Sequence, residues 1–252
     1  MSDWESISAL DGSRGLICLP LARSGLSHLF TLRGEEAPGR RPGPGIPESL
    51  LLLAGLGGIG IAMPVQVHGA RIAVPGPSGR TTEPERADGV VVHARRGGAA
   101  VATADCVGLI VCAPEARAFA VVHAGWRGTL ARILPVAIDA LALESGAAPR
   151  QMSLAMGPAI GRCCYEVGED VGTPFRQAYP ERTWPRLFGE RNGRTTLDLI
   201  AANRFLAEER GLEPGRILSA GICTSCRGDL CWSYRAEGRA AGRMWTVAGL
   251  TA

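Results

Sequence analysis

The chain has 252 residues, 46% of them hydrophobic, and a formal charge of +3; it is long enough to bury a full core, as one large domain or two small ones, which excludes wholesale disorder. The charge is modest and spread along the chain without a basic stripe, so a dedicated nucleic-acid binder is not expected. All 27 basic residues are arginine, and without lysine neither Schiff-base chemistry nor a Walker-type phosphate loop is available.

Arginine must therefore recognise any phosphate or carboxylate, a task that its planar fork suits. Residues 1–5 lack the basic region and apolar core of a secretory signal. No apolar stretch reaches the roughly 20 residues that span a bilayer. The expected compartment is the cytoplasm, where the eight cysteines are reduced thiols or metal ligands.

In chain order, residues 34–47 and 75–86 are dense in Gly, Pro and Arg and read as surface loops. Residues 89–92 and 99–103 read as strands. So do 109–112 and 119–123, joined by a turn at Pro114-Glu115-Ala116-Arg117. Residues 129–144 carry the strongest helical pattern, with Leu130, Ile133, Leu134, Ala137, Ile138 and Leu141 at helical spacing. Pro135 threatens a kink in the early turns of that helix. Further strands are expected at 153–156 and 217–222 and a second amphipathic helix at 197–210. A closing hairpin is expected between 232–234 and 244–247. No repeat or dividing linker appears, so 1–252 reads as a single mixed α/β domain.

Two of the four histidines stand in glycine-marked segments, Gln66-Val67-His68-Gly69 and Val122-His123-Ala124-Gly125-Trp126-Arg127-Gly128, with Thr103-Ala104-Asp105-Cys106 between them. His68, Cys106 and His123 can supply three ligands to one zinc, leaving a fourth position open for water or substrate. Their spacing is too long for a zinc finger and suits ligands gathered by a sheet. Asp105 beside the thiolate suits a general acid or base. Arg127 lies in the turn before the expected helix and Thr129 is placed as its N-cap, which makes that helix start a candidate anion site. His28 and His93 have no accompanying signature. Cys163-Cys164 reads as a packing pair. Cys223-x-x-Cys226 with Cys231 is a weaker rival metal site that lacks an evident fourth ligand.

Taken together, several ordered motifs resemble one family. They are Gln-Val-His-Gly (66–69), Ala-Asp-Gly-Val-Val (87–91), Thr-Ala-Asp-Cys (103–106), Val-His-Ala-Gly-Trp-Arg-Gly-Thr (122–129), Gly-Pro-Ala-Ile-Gly-x-Cys-Cys-Tyr-Glu-Val (157–167), Ile-Cys-Thr (222–224) and Ser-Tyr-Arg-x6-Gly-Arg-Met (233–244). The chain resembles the YfiH-type proteins, also called laccase-domain, polyphenol-oxidase-like or peptidoglycan-editing proteins. The likeness runs from about Val65 to Val247, whereas residues 1–64 depart from the family's pattern.

The resemblance implies a layered α/β/β/α fold of the cysteine-hydrolase type, shared with certain deamidating bacterial toxins, and a zinc held by His68, Cys106 and His123. It implies phosphorolysis of adenosine, inosine and methylthioadenosine, and adenosine deamination. Arg127, Thr129, Arg235 and Arg243 would then hold substrate or phosphate, and Asp105 would shuttle a proton. The implied partners are small molecules, a purine nucleoside and phosphate, with no nucleic acid or membrane and a monomer or homodimer as the assembly. The His-x-Glu and Pro-Cys-x-x-Cys signature of zinc nucleobase deaminases is absent.

Two other readings stay open. One is a Cys–His amide hydrolase that edits peptidoglycan precursors, with Cys106 as nucleophile and His123 or His68 as base. The other is a copper-dependent polyphenol oxidase. Four histidines without a His-x-His pair argue against a multicopper centre, although copper(II) competes with zinc for the same trio.

Overall fold

The structure, a computed structural model, describes residues 3–34, 45–74, 85–93 and 97–251. Most of the two segments expected as Gly/Pro/Arg-rich loops, 35–44 and 75–84, lie outside the described residues. The chain begins with β1 (Trp4–Ser8), β2 (Arg14–Cys18), α1 (Leu19–Arg23), β3 (Ser27–Thr31) and α2 (Glu48–Leu53). There follow β4 (Ile61–Ala62), β5 (Ile72–Ala73), β6 (Gly89–His93), β7 (Gly97–Thr103), β8 (Val107–Ala113) and β9 (Ala118–Ala124). Next come α3 (Trp126–Leu130), α4 (Ile133–Ser145), β10 (Ser153–Met156), α5 (Glu169–Ala178), α6 (Trp184–Leu187), β11 (Phe188–Arg191) and β12 (Arg194–Leu197). The chain ends with α7 (Leu199–Glu209), β13 (Ile217–Ser219), α8 (Tyr234–Glu237) and β14 (Met244–Leu250).

Among the described residues these strands form two six-stranded sheets, ordered β1-β2-β3-β14-β7-β4 and β13-β10-β8-β9-β6-β5, and the small hairpin β11-β12. Strand β8 shows why the sheets stack. Its side chains alternate between two apolar clusters, Leu109 and Val111 on one face and Ile110 and Cys112 on the other. Both faces are buried, so the strand reads as an unbroken apolar run rather than an alternating one.

The inner cluster, with Ile110, Phe119 and Val121 against Phe30 and Val101, fills the space between the sheets. Beyond the second sheet, Ile133, Ile138 and Leu141 of α4 and Leu206 of α7 cover Leu109, Val111 and Val122. Beyond the first, Leu51 and the adjoining Ala54 and Leu56 pack on Leu29, Ala100 and Val247. The fold is thus mixed α/β, layered α/β/β/α. No described helix is long and apolar enough to cross a membrane.

The strands expected at 89–92, 99–103, 109–112, 119–123 and 153–156 all form, and the helix expected at 197–210 becomes α7. The helix expected at 129–144 is instead two. Arg132 adopts left-handed backbone (φ 63°) and separates α3 from α4. Pro135 then falls in the first turn of α4, where its missing N–H has no helical partner to lose, so no kink arises.

The expected closing hairpin does not form. Strand β14 lies between β3 and β7, antiparallel to both, with Met244 opposite Thr103 and Leu250 opposite Gly97. Buried Ser233 caps α8, accepting from the Ala236 N–H at 3.2 Å, so residues 232–234 are not a strand. The strand expected at 217–222 ends at Ser219, and β1 to β3 were not foreseen.

The inter-sheet cluster should dominate stability. Truncating fully buried Ile110 to Ala is expected to cost about 2–5 kcal/mol. Leu143→Ala, at a site 84% exposed, should cost less than about 0.5 kcal/mol. Urea unfolding of both variants measures the contrast.

Candidate metal centre

The register of β6, β8 and β9 assembles the centre. Gly89 of β6 pairs with Val122 of β9, which sets Asp88, just before β6, beside His123. Gly108 pairs with His123 and Val107 with Ala124, which sets Cys106, just before β8, beside Gly125. The side chain of Gln66 bridges to β7, donating to the Ala102 carbonyl at 2.8 Å and accepting from the Ala102 N–H at 2.7 Å. That bridge pins the segment carrying His68 across the first sheet. Three distant pieces of chain therefore meet where the two sheets adjoin.

The ligand atoms of His68, Cys106 and His123 lie within 4.8 Å of one another. The two imidazoles are edge to face, with ring centres 4.8 Å apart. His68 has φ 60° and Asp105, next to Cys106, has φ 88°, both in a region that non-glycine residues seldom occupy. Such strain persists only where surrounding contacts over-determine it, and it collects at functional sites. A Cβ at Gly125 would lie 2.9 Å from the Cys106 sulfur, so only glycine lets the chain pass behind the thiol.

Asp88 organises the trio and was not singled out from the sequence as a site residue. Its carboxylate, fully buried, accepts from the backbone N–H groups of Val67 (3.2 Å), His68 (2.8 Å) and Gly69 (2.7 Å). It also accepts from His123 Nδ1 at 2.9 Å, which leaves Nε2 as the nitrogen free for a ligand. Burial pushes the Asp88 carboxyl up, but His123 and the Gly69 and His68 N–H groups hold it below the ordinary carboxylate value.

Burial also opposes charge on His123, yet hydrogen bonds to Asp88 and Cys106 carry it up to about 9. Burial likewise opposes ionisation of Cys106, but hydrogen bonds from His123 and His68, with their charge, bring the thiol down to about 7. The trio thus holds a thiolate near neutral pH, the form that binds metal or attacks carbon.

A cleft of about 490 Å³ opens on the trio, and Asp105, Ile160, Tyr165, Tyr234, Arg235 and Arg243 share its wall. The Asp105 carboxylate accepts from Thr224 Oγ1 at 2.5 Å and from the Arg235 N–H at 2.6 Å. The Arg235 guanidinium is steadied by the carbonyls of Cys164 (3.4 Å) and Glu166 (3.0 Å). Burial, then the Cys106 charge, pushes the Tyr165 hydroxyl up to about 12, so it stays a donor at neutral pH.

The structure separates two expected anion-binding residues from this cleft. Arg127 is exposed, with its guanidinium 4.2 Å from the ring centre of its own neighbour Trp126, and it does not line the cleft. Thr129 is fully buried inside α3, whose N-cap is Gly125, and its hydroxyl accepts from Asn203 Nδ2 at 3.1 Å. A hydroxyl so enclosed cannot reach phosphate, and α3 is only five residues long. Arg235 and Arg243, by contrast, do stand in the cleft wall.

The chain belongs to the family described as multi-copper polyphenol oxidoreductase laccase, whose model matches residues 50–251. It is 42% identical over 151 residues to a protein named purine nucleoside phosphorylase from Deinococcus radiodurans; the match covers 60% of this chain and 56% of that protein. It is 31% identical to adenosine deaminase RL5 from an unknown prokaryotic organism, covering 74% of this chain and 73% of that one. Among solved structures, YlmD from Geobacillus stearothermophilus superposes with a TM-score of 0.83 at 27% identity, over 98% of this chain and 99% of that one.

Asp88→Asn keeps the shape but loses the charge that orders both histidines, so metal affinity should fall about 10- to 100-fold. Competition with a chromogenic chelator measures it. In metal-stripped protein the rate of Cys106 alkylation should rise with pH to a midpoint near about 7. Asp88→Asn should shift that midpoint upward, because a less basic His123 stabilises the thiolate less.

Proposed function

We propose that this chain is a zinc-dependent purine nucleoside enzyme that cleaves adenosine, inosine and methylthioadenosine by phosphorolysis and deaminates adenosine. The observation that carries the reading is one cleft joining the His68–Cys106–His123 trio to a wall of two tyrosines and two arginines. The names of the relatives from Deinococcus and of RL5 support both halves of it.

The donor set fits zinc. Two imidazole nitrogens and one low-pKa thiolate match its preference for nitrogen and sulfur, and Asp88 supplies the carboxylate that commonly backs a ligating histidine. Zinc held there supplies a Lewis-acidic coordination position. Copper(II) competes for the same donors.

The other roles follow from the cleft wall. At about 490 Å³ the cleft is in the size range of small-ligand sites. Tyr165 and Tyr234 offer ring faces to a purine, and the protonated Tyr165 hydroxyl offers it a hydrogen bond. Arg235 and Arg243 hold phosphate. In phosphorolysis a phosphate oxygen bonds to the ribose C1′ as the C1′–N9 bond breaks, and the departing base takes a proton. Each Asp105 oxygen already accepts one hydrogen bond and keeps a second lone pair, so Asp105 is the group placed to relay a proton. On this reading residues 1–252 act as one domain, with a divergent segment 1–64, in the cytoplasm as monomer or homodimer.

One observation also favours an amide hydrolase. A thiol near about 7 beside an imidazole near about 9 suits a Cys106–His123 nucleophile pair when no metal is bound.

Purified protein with adenosine should yield adenine and ribose 1-phosphate when phosphate is present, and inosine when it is absent. Arg235→Ala should raise the phosphate KM by about 10- to 100-fold, the loss of a hydrogen bond to a charged group. No turnover in either condition with zinc bound would overturn the reading. Amide cleavage by metal-free protein, abolished in Cys106→Ser, would favour the hydrolase.

A further inference from the structure

The cysteines outside the trio fall into two environments. Cys18, Cys112 and Cys231 are buried, at most 3% exposed, and pack as small apolar groups within the inter-sheet cluster. Cys163, Cys164, Cys223 and Cys226 lie at the surface, exposed or half-buried, yet their four sulfurs lie within 4.8 Å of one another. The expectation of a packing pair at 163–164 is therefore wrong, and so is the missing fourth ligand for Cys223-x-x-Cys226.

Strand pairing explains the meeting. Neighbouring parallel strands β10 and β13 pair Leu154 with Ile217 and Met156 with Ser219. The two loops that leave them stay in register, with Ala159 bridged to Cys223, the Ala159 N–H donating to the Ile222 carbonyl and the Thr224 N–H to the Ala159 carbonyl. A tight turn follows, in which the N–H groups of Cys164 and Tyr165 both donate to the Gly161 carbonyl. That turn brings both vicinal thiols to one partner, with Cys226 Sγ 3.5 Å from Cys163 Sγ and 3.4 Å from Cys164 Sγ. The Gly161 N–H donates to Cys223 Sγ at 3.2 Å, and a Cβ at Gly161 would crowd both Cys163 and Cys223.

We infer that Cys163, Cys164, Cys223 and Cys226 form a second metal site, a tetrathiolate centre that binds zinc for structure. Four sulfurs around zinc at about 2.3 Å stand about 3.8 Å apart, and closed four-cysteine sets are a standard structural zinc site. A disulfide would consume two sulfurs and leave the other two at the surface. One tetrahedral ion accounts for all four, and four thiolates leave no open position for chemistry. The N–H donated to Cys223 is the kind of outer contact that steadies a metal-bound thiolate.

The centre clamps two loops that build the cleft. One carries Thr224, which holds Asp105, and the other leads directly into Tyr165 and supplies the carbonyls that steady Arg235. Its task is thus to fix the part of the cleft wall that carries Tyr165 and holds Asp105 and Arg235.

Metal content and cobalt spectroscopy test this. Protein expressed in zinc-supplemented medium and purified without chelator should hold two zinc ions per chain. Cys106→Ala, which removes the trio's only thiolate, should hold one. Cobalt(II) added to metal-stripped Cys106→Ala should give the intense sulfur-to-cobalt charge-transfer and visible bands of a tetrathiolate, and Cys106→Ala/Cys226→Ser should not. If that double variant fails to fold, the cobalt spectrum of Cys106→Ala still decides. A spectrum without thiolate charge transfer, a single zinc per wild-type chain that Cys106→Ala loses, iron in place of zinc, or a disulfide from Cys226 to Cys163 or Cys164 in protein blocked at lysis would each overturn the assignment.

Discussion

A carboxylate with no exposure to solvent is costly unless every oxygen is satisfied, and Asp88 is satisfied by two parts of the chain far apart in sequence. It draws the N–H groups of residues 67–69 and the ring of His123 onto one anion. The left-handed backbone of His68 is the local cost of turning three successive N–H groups toward it. The strand register supplies the rest. Because β6, β8 and β9 are adjacent and antiparallel, Asp88, Cys106 and His123 come together at one end of the second sheet. The low thiol pKa of Cys106 and the raised imidazole pKa of His123 both descend from this placement.

Rigidity and reactivity are divided between the two sheets. The second sheet, buried on both faces, is the stiff platform for the ligands. The first contributes Ala102, which holds Gln66, and the end of β7 that leads to Asp105. The cleft wall comes from loops that follow β10 and β13 and from the start of α8, each tied to Asp105 or to a loop carbonyl. An anion in the cleft would meet Arg235 at the start of α8 and Arg243 just before β14. The cleft wall is thus built from loops and a short helix held on a fixed platform.

The sequence made legible whatever depends on short-range pattern. Strands β6 to β10 announce themselves as apolar runs bounded by glycine and polar residues, and the trio as His and Cys at the ends of those runs. The split of the 129–144 helix was hidden because Arg132 has an ordinary side chain, and only tertiary packing forces its left-handed backbone. Strand β14 lacks a sequence neighbour to pair with. Its partners β3 and β7 are set by the whole sheet, so a local hairpin looked better than it is. Asp88 stands in the Ala-Asp-Gly-Val-Val motif, but only the β6–β9 register reveals its histidine partner. The four-cysteine cluster spans some sixty residues of sequence and needs the parallel β10–β13 pairing to exist. Arg127 and Thr129 misled because the helix was taken to start at 129, whereas it starts at Trp126.

The family's copper-oxidase description sits beside a chain with four histidines, of which His68 and His123 alone join a ligand set among the described residues. The account rests on a mononuclear centre in which Asp88 orders the ligands. Diffraction data collected on either side of the zinc absorption edge, from crystals grown without added metal, test it most directly. The account predicts an anomalous peak bonded to a nitrogen of His68, Sγ of Cys106 and Nε2 of His123 at about 2.0–2.3 Å, with Asp88 still on His123 Nδ1. Density that leaves the trio without a metal while zinc occupies the protein elsewhere would contradict it.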